Sequence, residues 1–318
     1  MDRTSNQYIK YKGINLRQVK KVTQCRSCGA DDMNTVFDMG DLKINAFTVE
    51  PNTDVGSAPL TLVHCHVCDL IQLDHTVREQ ELYENYWYLS RLNQKIVDNL
   101  SSIVDDITNE VGLNKDDIVL DIGANDGTLL SNYDSKKVTR VGCDPAKNIH
   151  LDLVKHTDIM IGDFFNYENW VTRVGIKTAR AITTVAMFYD LDDPNSFVQD
   201  IKKVLATDGV WLCQLMTAEP MLASNDLGNV IHEHIEYYSF KSLVVLMERH
   251  GLEIYKVLEN DINGGSYQLY IRHYTTGSIE YAEDITPERI SQWADNIAQN
   301  RDDTVAFLRK VVNEGKRV

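Results

Sequence analysis

No run of about eighteen consecutive apolar residues occurs in the 318-residue chain, which argues against a membrane-spanning helix. The opening MDRTSNQYIKYKG lacks the apolar core of a secretory leader, so no membrane partner and a cytoplasmic location are expected. Proline is scarce, with 6 residues beside 17 glycines, and no internal repeat or low-complexity tract is visible. That leaves an ordinary globular composition. Cations are also few: 32 Lys and Arg face 47 Asp and Glu, a net charge of -15. A polyanion would approach against a repulsive average field. The early lysines, Lys10, Lys12, Lys20 and Lys21, form no dense basic stripe, so nucleic acid is not an expected partner.

Of the 6 cysteines, four form two close pairs, Cys25 with Cys28 and Cys65 with Cys68. Two CxxC pairs can each clamp one side of a tetrahedral ion, which predicts a structural Zn2+ site with four thiolate ligands. His64 and His66 flank Cys65 as spectators. Cys143 and Cys213 stand alone in apolar runs and are expected in the core. The turn residues Gly29, Gly40, Pro51, Asn52, Gly56 and Pro59 between the pairs suit a small metal-stapled unit, and residues 1–78 are assigned to a zinc-binding module.

From Glu79 to Val111 apolar residues recur at threes and fours (Leu82, Tyr86, Leu89, Ile96, Leu100, Ile103, Val104, Ile107), predicting a helical lead-in. The runs IVLDIG, TRVGCD, DIMIGDF, ARAITTVAMF and GVWLCQL follow at helical spacings, predicting a doubly wound α/β domain with a mostly parallel sheet. KSLVVLMERHG, LEIYKVLEN and SYQLYIRHY add a helix and two strands. The domain is assigned to 79–284, and 285–318 to a C-terminal helical segment.

Val119 to Thr128 reads as a buried strand ending in Asp121, then a turn with Gly123 and Gly127 ahead of a helix. Glycines there let the backbone approach a ligand at the carboxyl ends of the strands. Asp144 and Asp163 end the next two strands, where a carboxylate can accept ribose hydroxyls. The turn lacks the GxGxxG of nicotinamide cofactors. Further on, Asn229 to Ser239 (NVIHEHIEYYS) supplies two imidazoles and two carboxylates at alternating positions. This suits general-base work, since histidine titrates near working pH. HEH is not the HExxH of zinc enzymes and sets its imidazoles on opposite sides of an extended chain; a polar structural loop is the other reading.

VLDIGANDGTLL, VGCDP, IGDFF and ATDGVWLCQL resemble the successive motifs of class I S-adenosylmethionine-dependent methyltransferases. The resemblance implies a Rossmann-like fold binding S-adenosylmethionine. In it Asp121 and Gly123 line the methionine and sugar region, with Asn125 and Gly127 in the same turn; Asp144 takes the ribose, and Asp163 with Phe164 the adenine. HEHIEYYS and NGGS (263–266), with the four cysteines, resemble the sugar C-methyltransferase family. This implies a small-molecule substrate, a nucleotide-linked keto deoxysugar methylated on the carbon next to its carbonyl. His234 would be the base, Glu233 its orienting neighbour, and His232 or Tyr238 the enolate donor. The chain departs from the family at Ile231, where many members have Tyr, and the sequence stops in a helix at Val318 where members usually continue into a further domain, so either a partner chain that supplies that wall or a changed substrate is expected. An O- or N-methyltransferase and a non-catalytic cofactor-binding scaffold are the competing readings.

Overall fold

The computed structural model describes residues 8–9, 19–44 and 56–317; Lys10, Lys12, Pro51 and Asn52 lie outside them. Strands β1 (Tyr8–Ile9), β2 (Val19–Lys21) and β6 (His75–Val77) make a small antiparallel sheet, and β3 (Met33–Lys43), β4 (Ser57–Cys65) and β5 (Ile71–Leu73) make another. In β4 buried Ala58, Leu60 and Leu62 alternate with more exposed neighbours, the period-2 pattern of a strand with one face covered. The second sheet takes a fourth strand from far along the chain: β12 (Glu236–Tyr237) pairs with β5, Glu236 opposite Gln72 and Tyr237 opposite Ile71.

The lead-in is two helices, not one. α1 (Glu79–Tyr83) and α2 (Gln94–Val111) are separated by an open stretch containing a 3₁₀ turn at Ser90–Leu92. Tyr86, Trp87 and Tyr88 are poor helix formers, and the Asn93 side chain accepts from Lys95 N at 3.1 Å and so starts a new helix. The stretch instead bonds the cofactor-type turn: Ser90 N donates to Asn125 Oδ1 and Arg91 N to Asp126 Oδ2, each at 3.1 Å.

Every strand read from the sequence after residue 117 is present. β7 (Ile118–Ile122), β8 (Thr139–Cys143), β9 (Ile159–Ile161), β10 (Ala179–Val185) and β11 (Leu205–Met216) run parallel, and β13 (Leu252–Asn260) and β14 (Ser266–His273) complete a sheet in the order β13-β14-β11-β10-β7-β8-β9. Only β14 runs against the direction of the other six strands. One face packs α2 through Leu100, Ile103 and Ile107 against Val119, Ala181 and Leu212. The other receives α3 (Pro194–Val204) and α4 (Phe240–Arg249), with Val198, Ile201, Leu243 and Leu246 against Leu120, Ile182 and Trp211. Cys143 and Cys213 are buried in these strands. The chain winds one way from β7 to β9 and the other way from β10, so a crevice opens between the carboxyl ends of β7 and β10. The long α5 (Pro287–Asn313) packs through Ile290, Trp293 and Ile297, and Trp293 meets Phe37 of β3 edge-on at 6.1 Å. No described helix is long and apolar enough to cross a membrane.

Glu253 of β13 is fully buried. Burial pushes its carboxyl up, but bonds from the amides of Thr275, Thr276 and Gly277, the Thr275 hydroxyl and Arg272 Nε outweigh that and hold it at about 2, against an ordinary 4.5. A depressed folded pKa stabilises above the unfolded value, and that stability disappears as pH falls through the folded one. Glu253→Gln is expected to cost about 3 kcal/mol at neutral pH and to remove the decline in stability between pH 4.5 and 2. Urea unfolding of both proteins at neutral and acid pH reads it, and equal midpoints would refute it.

Candidate active site and metal centre

The two CxxC segments fold as matching knuckles. Cys25 N donates to Ala30 O and Gly29 N donates back to Cys25 O; Cys65 N donates to Leu70 O and Asp69 N to Cys65 O, all at 2.7–2.9 Å. Gly29 (φ 78°) and Asp69 (φ 62°) occupy the same left-handed position in each. All four Sγ atoms lie within 4.8 Å of one another, with Cys25 to Cys68 at 3.4 Å and Cys28 to Cys65 at 3.6 Å. Those separations are far longer than a disulfide and near the ~3.8 Å edge of a tetrahedron built on ~2.3 Å Zn–S bonds. The set therefore fits a zinc ion with four thiolates. His64 stays outside it, its Nε2 3.4 Å from Asp69. Ser239 Oγ donates to Cys68 O at 3.1 Å and Ser27 Oγ to Ser242 O at 2.8 Å, which ties the knuckles to the start of α4.

At the crevice Gly123 N and Ala124 N donate to Cys143 O (2.9 and 3.1 Å), which locks the turn after β7 onto the end of β8. Gly123 has φ 71°, and a Cβ there would meet Met187 at 3.0 Å. Asp144 accepts from Asn125 N and Ala146 N, both at 2.9 Å. Asp121, at the end of β7, accepts from Thr183 Oγ1 at 2.6 Å; burial pushes its carboxyl up to about 7 and raises that of Asp144. A cation bound beside these buried acids would favour their ionised forms. The helix expected after this turn is only a 3₁₀ turn, Leu130–Asn132. Asn132, Tyr133, Asp134 and Ser135 are weak helix formers, and β8 begins at Thr139, so a full helix has neither the propensity nor the length.

A cavity of about 570 Å³ occupies the crevice and is lined by Asp121, Gly123, Asn125, Asp144, Phe164 and His234. Gly127 faces His156, which a Cβ would meet at 2.9 Å, and Asp163 bonds Phe164 N at 2.8 Å; neither lines this cavity.

The HEH segment divides its side chains, as alternation predicts. His232 is buried with Nε2 3.0 Å from Ala58 O of β4, on the side of the zinc sheet. His234 turns to the cavity. Its Nδ1 lies 2.9 Å from Asn229 O, which can only accept, so Nδ1 carries the proton and Nε2 the lone pair. Its ring stands edge-on to Tyr189 at 4.7 Å, and burial lowers its pKa to about 4. The backbone on either side is anchored: Ile235 N donates to Tyr189 O, and Leu73 N of β5 to Ile235 O. Tyr83 OH donates to Glu233 O at 2.9 Å. Tyr238 is buried against Phe188 at 5.4 Å. Glu233, His232 and Tyr238 are not among the cavity residues. Of those that are, Tyr83, Tyr86 and Tyr88 of the interrupted lead-in and Gln214 were not singled out as site residues by sequence, whereas Asn263 belongs to the NGGS motif. The tyrosine density of YENYWY was the only signal for the three tyrosines. The NGGS turn abuts the loop, with Asn229 Nδ2 donating to Asn263 O at 3.2 Å and Gly265 (φ 121°) pressed on Pro220, which a Cβ would meet at 2.5 Å.

A sheet in this order, with an acid-floored crevice at its switch point, defines a class I S-adenosylmethionine-dependent methyltransferase. Residues 88–257, just over half the chain, match the family model for "Methyltransferase domain", and the chain belongs to that family. Residues 25–83 match the family described as "Putative zinc binding domain". C-methyltransferase NovU of Streptomyces niveus is 28% identical over 258 residues, 79% of this chain and 61% of NovU, so the chain spans less than two thirds of that relative. Among solved structures, an S-adenosylmethionine-dependent methyltransferase from Clostridium acetobutylicum ATCC 824 aligns over 56% of this chain and 92% of its own at 11% identity, TM-score 0.45. A Burkholderia thailandensis 1,6-didemethyltoxoflavin-N1-methyltransferase aligns over 56% and 78% at 11% identity, TM-score 0.44.

Proposed function

We propose that this methyltransferase acts on carbon, methylating the position next to the keto group of a nucleotide-activated deoxysugar, with His234 as general base. The single observation that carries the reading is the neutral His234 imidazole, with its Nδ1 proton held by Asn229 O and its Nε2 free to accept, in the wall of the cofactor crevice. The likeness to a C-methyltransferase supports it. Transfer to oxygen or nitrogen does not require a base positioned against a carbon acid.

Bound S-adenosylmethionine supplies an electrophilic methyl group on a sulfonium. Asp144 would hold its ribose, with Asp121, Gly123 and Asn125 around the rest of the molecule. His234 Nε2 takes the proton from the carbon next to the carbonyl; the C–H electron pair forms the enolate C=C bond as the carbonyl π pair moves onto oxygen. Hydrogen-bond donors in the cavity steady the resulting oxyanion. Burial raises the phenol pKa of Tyr86 and of Tyr189, so both remain protonated donors. We assign them this role in place of His232 and Tyr238, with Glu233 kept as the neighbour that orients the base loop. Residues 1–78 serve as the zinc module and 79–284 as the catalytic domain, with 285–318 its helical extension.

Asp144→Ala is expected to weaken S-adenosylhomocysteine binding about a hundredfold, since two hydrogen bonds to a charged acceptor are lost. Calorimetry reads it, and an unchanged Kd would remove Asp144 from the ribose site. The reading as a whole is tested with labelled S-adenosylmethionine and a panel of thymidine-diphosphate keto-deoxysugars, with NMR of the product. A new methyl on a ring carbon is expected; a methyl on oxygen or nitrogen would overturn the reading.

A further inference from the structure

We infer that Gln214 is a further catalytic residue, the side chain that donates to the keto oxygen of the acceptor, and that the turn after β13 sets both it and the base. The inference rests on the keto-sugar reading above and deepens it. Gln214 lies near the carboxyl end of β11, opposite Val185 of β10 and Gln268 of β14, is 1% exposed and lines the cavity. Its amide is held by one atom only. Oε1 accepts from Asn260 Nδ2 at 3.0 Å and from Gln268 Nε2 at 2.9 Å, whereas Nε2 has no acceptor among the described residues.

The orientation of that amide follows from a backbone group. Ile262 N donates to Asn260 Oδ1 at 3.0 Å. A backbone N–H only donates, so the Asn260 atom facing it is oxygen, and the atom left to face Gln214 is nitrogen. An amide nitrogen also only donates, so it meets the Gln214 oxygen. Nε2 is thereby left over, a buried donor in the cavity wall of the kind that folded proteins keep with a partner. A keto oxygen is the matching partner, since it accepts, cannot donate, and takes on charge as the α-proton leaves. A donor already fixed in direction stabilises that charge without reorganising, whereas the hydroxyls of Tyr86 and Tyr189 can turn.

Position separates Gln214 from the cofactor. The cofactor turns follow β7 and β8, while β11 lies beyond β10 in the sheet order. The base hangs on the same turn as the donor: Asn263 O accepts from Asn229 Nδ2 at 3.2 Å, and Asn229 O lies 2.9 Å from His234 Nδ1. Hydrogen bonds thus run from the imidazole through Asn229 and the turn at 260–263 to Gln214. This gives the NGGS turn a chemical task, spacing the group that removes the proton from the group that meets the charge.

The test uses the full chain with thymidine-diphosphate-4-keto-6-deoxyglucose. Enolisation is read as exchange of the acceptor's α-proton in D2O with S-adenosylhomocysteine bound, and methyl transfer is read separately. Gln214→Met removes the donor and is expected to lower both by about 10²–10³-fold, while S-adenosylhomocysteine affinity, by calorimetry, stays within about twofold. Gln214→Glu keeps an oxygen for Asn260 and Gln268 but presents a second oxygen in place of Nε2, and is expected to be as slow at about pH 8. Asn260→Asp, at a residue outside the cavity wall, puts an oxygen against Gln214 and turns its amide round, so exchange slows although S-adenosylhomocysteine affinity holds. The inference is overturned if either Gln214 variant with native circular dichroism exchanges within about tenfold of the wild type. It is equally overturned if S-adenosylhomocysteine affinity falls while exchange at saturating S-adenosylhomocysteine persists, which would place Nε2 on the cofactor. Undiminished exchange in Asn260→Asp overturns the role of the turn. A wild type that binds S-adenosylhomocysteine but neither exchanges nor methylates any keto-deoxysugar of the panel removes the keto-sugar reading and this inference with it; a wild type that methylates carbon alongside undiminished Gln214 variants removes this inference alone.

Discussion

His234→Ala is expected to lower methyl transfer by about 10²–10⁴-fold while leaving the affinity for S-adenosylhomocysteine unchanged. The base reaches the cavity from the loop before β12, whereas the cofactor arm is built by the turns after β7 and β8, so the two functions separate in the fold. The pH profile carries a sharper signature. A base works only unprotonated, and burial lowers the His234 pKa to about 4. The acid limb of kcat/KM should therefore be missing around pH 6.5, where an exposed histidine would place it. The same shift bears on the fold: between the unfolded value and pH 4 the unfolded chain binds the extra proton, so stability declines as pH drops through that window. Rates should be taken only where circular dichroism shows the native state. A variant retaining more than about a tenth of the wild-type rate would sink the assignment, because removal of a positioned base costs at least about a hundredfold.

How much of this was legible in the sequence depended on whether a residue sat in a periodic element. The sheet strands are β-branched runs that bury both faces, as in IVLDI, and each appears where the pattern put it. The four cysteines carry their geometry in their spacing. The interruption at residues 84–93 was hidden, because tyrosines at helical spacing look like a helix. What decides their conformation is Asn125 and Asp126, whose side chains take the backbone donors of Ser90 and Arg91 from more than thirty positions away. The helix after Gly127 was over-read for the opposite reason: the motif suggests one, but the local residues cannot sustain it. In HEH the alternation was visible, yet which histidine faces the cavity was not. That is set by two carbonyls, the remote Ala58 O holding His232 and Asn229 O, five residues upstream, holding His234.

Removing the metal is expected to abolish turnover while largely sparing the cofactor site. A four-thiolate zinc contributes about 10–16 kcal/mol of folding free energy to a small module, comparable to or larger than the total stability of a typical domain. Its loss should therefore unfold the knuckles and the sheet they hold. That sheet is not a remote appendage, since β5 is the partner of β12, Leu73 N holds Ile235 O, and Ala58 O holds His232. These contacts bracket His234 on both sides. A base displaced by about 1 Å can lose about 10²-fold in rate, and a melted partner strand permits more than that. The turns after β7 and β8 are locked instead by Cys143 O and Asp144 inside the large sheet, so S-adenosylhomocysteine affinity should weaken by no more than about tenfold. Chelation, and separately Cys65→Ser with Cys68→Ser, should reproduce this split, with metal content, calorimetric affinity and turnover measured on the same samples. If metal-free protein methylated at the wild-type rate, the zinc sheet would not position the base. If affinity and turnover collapsed together, the two units would fold as one, and the separation of base from cofactor arm argued from β12 would be wrong.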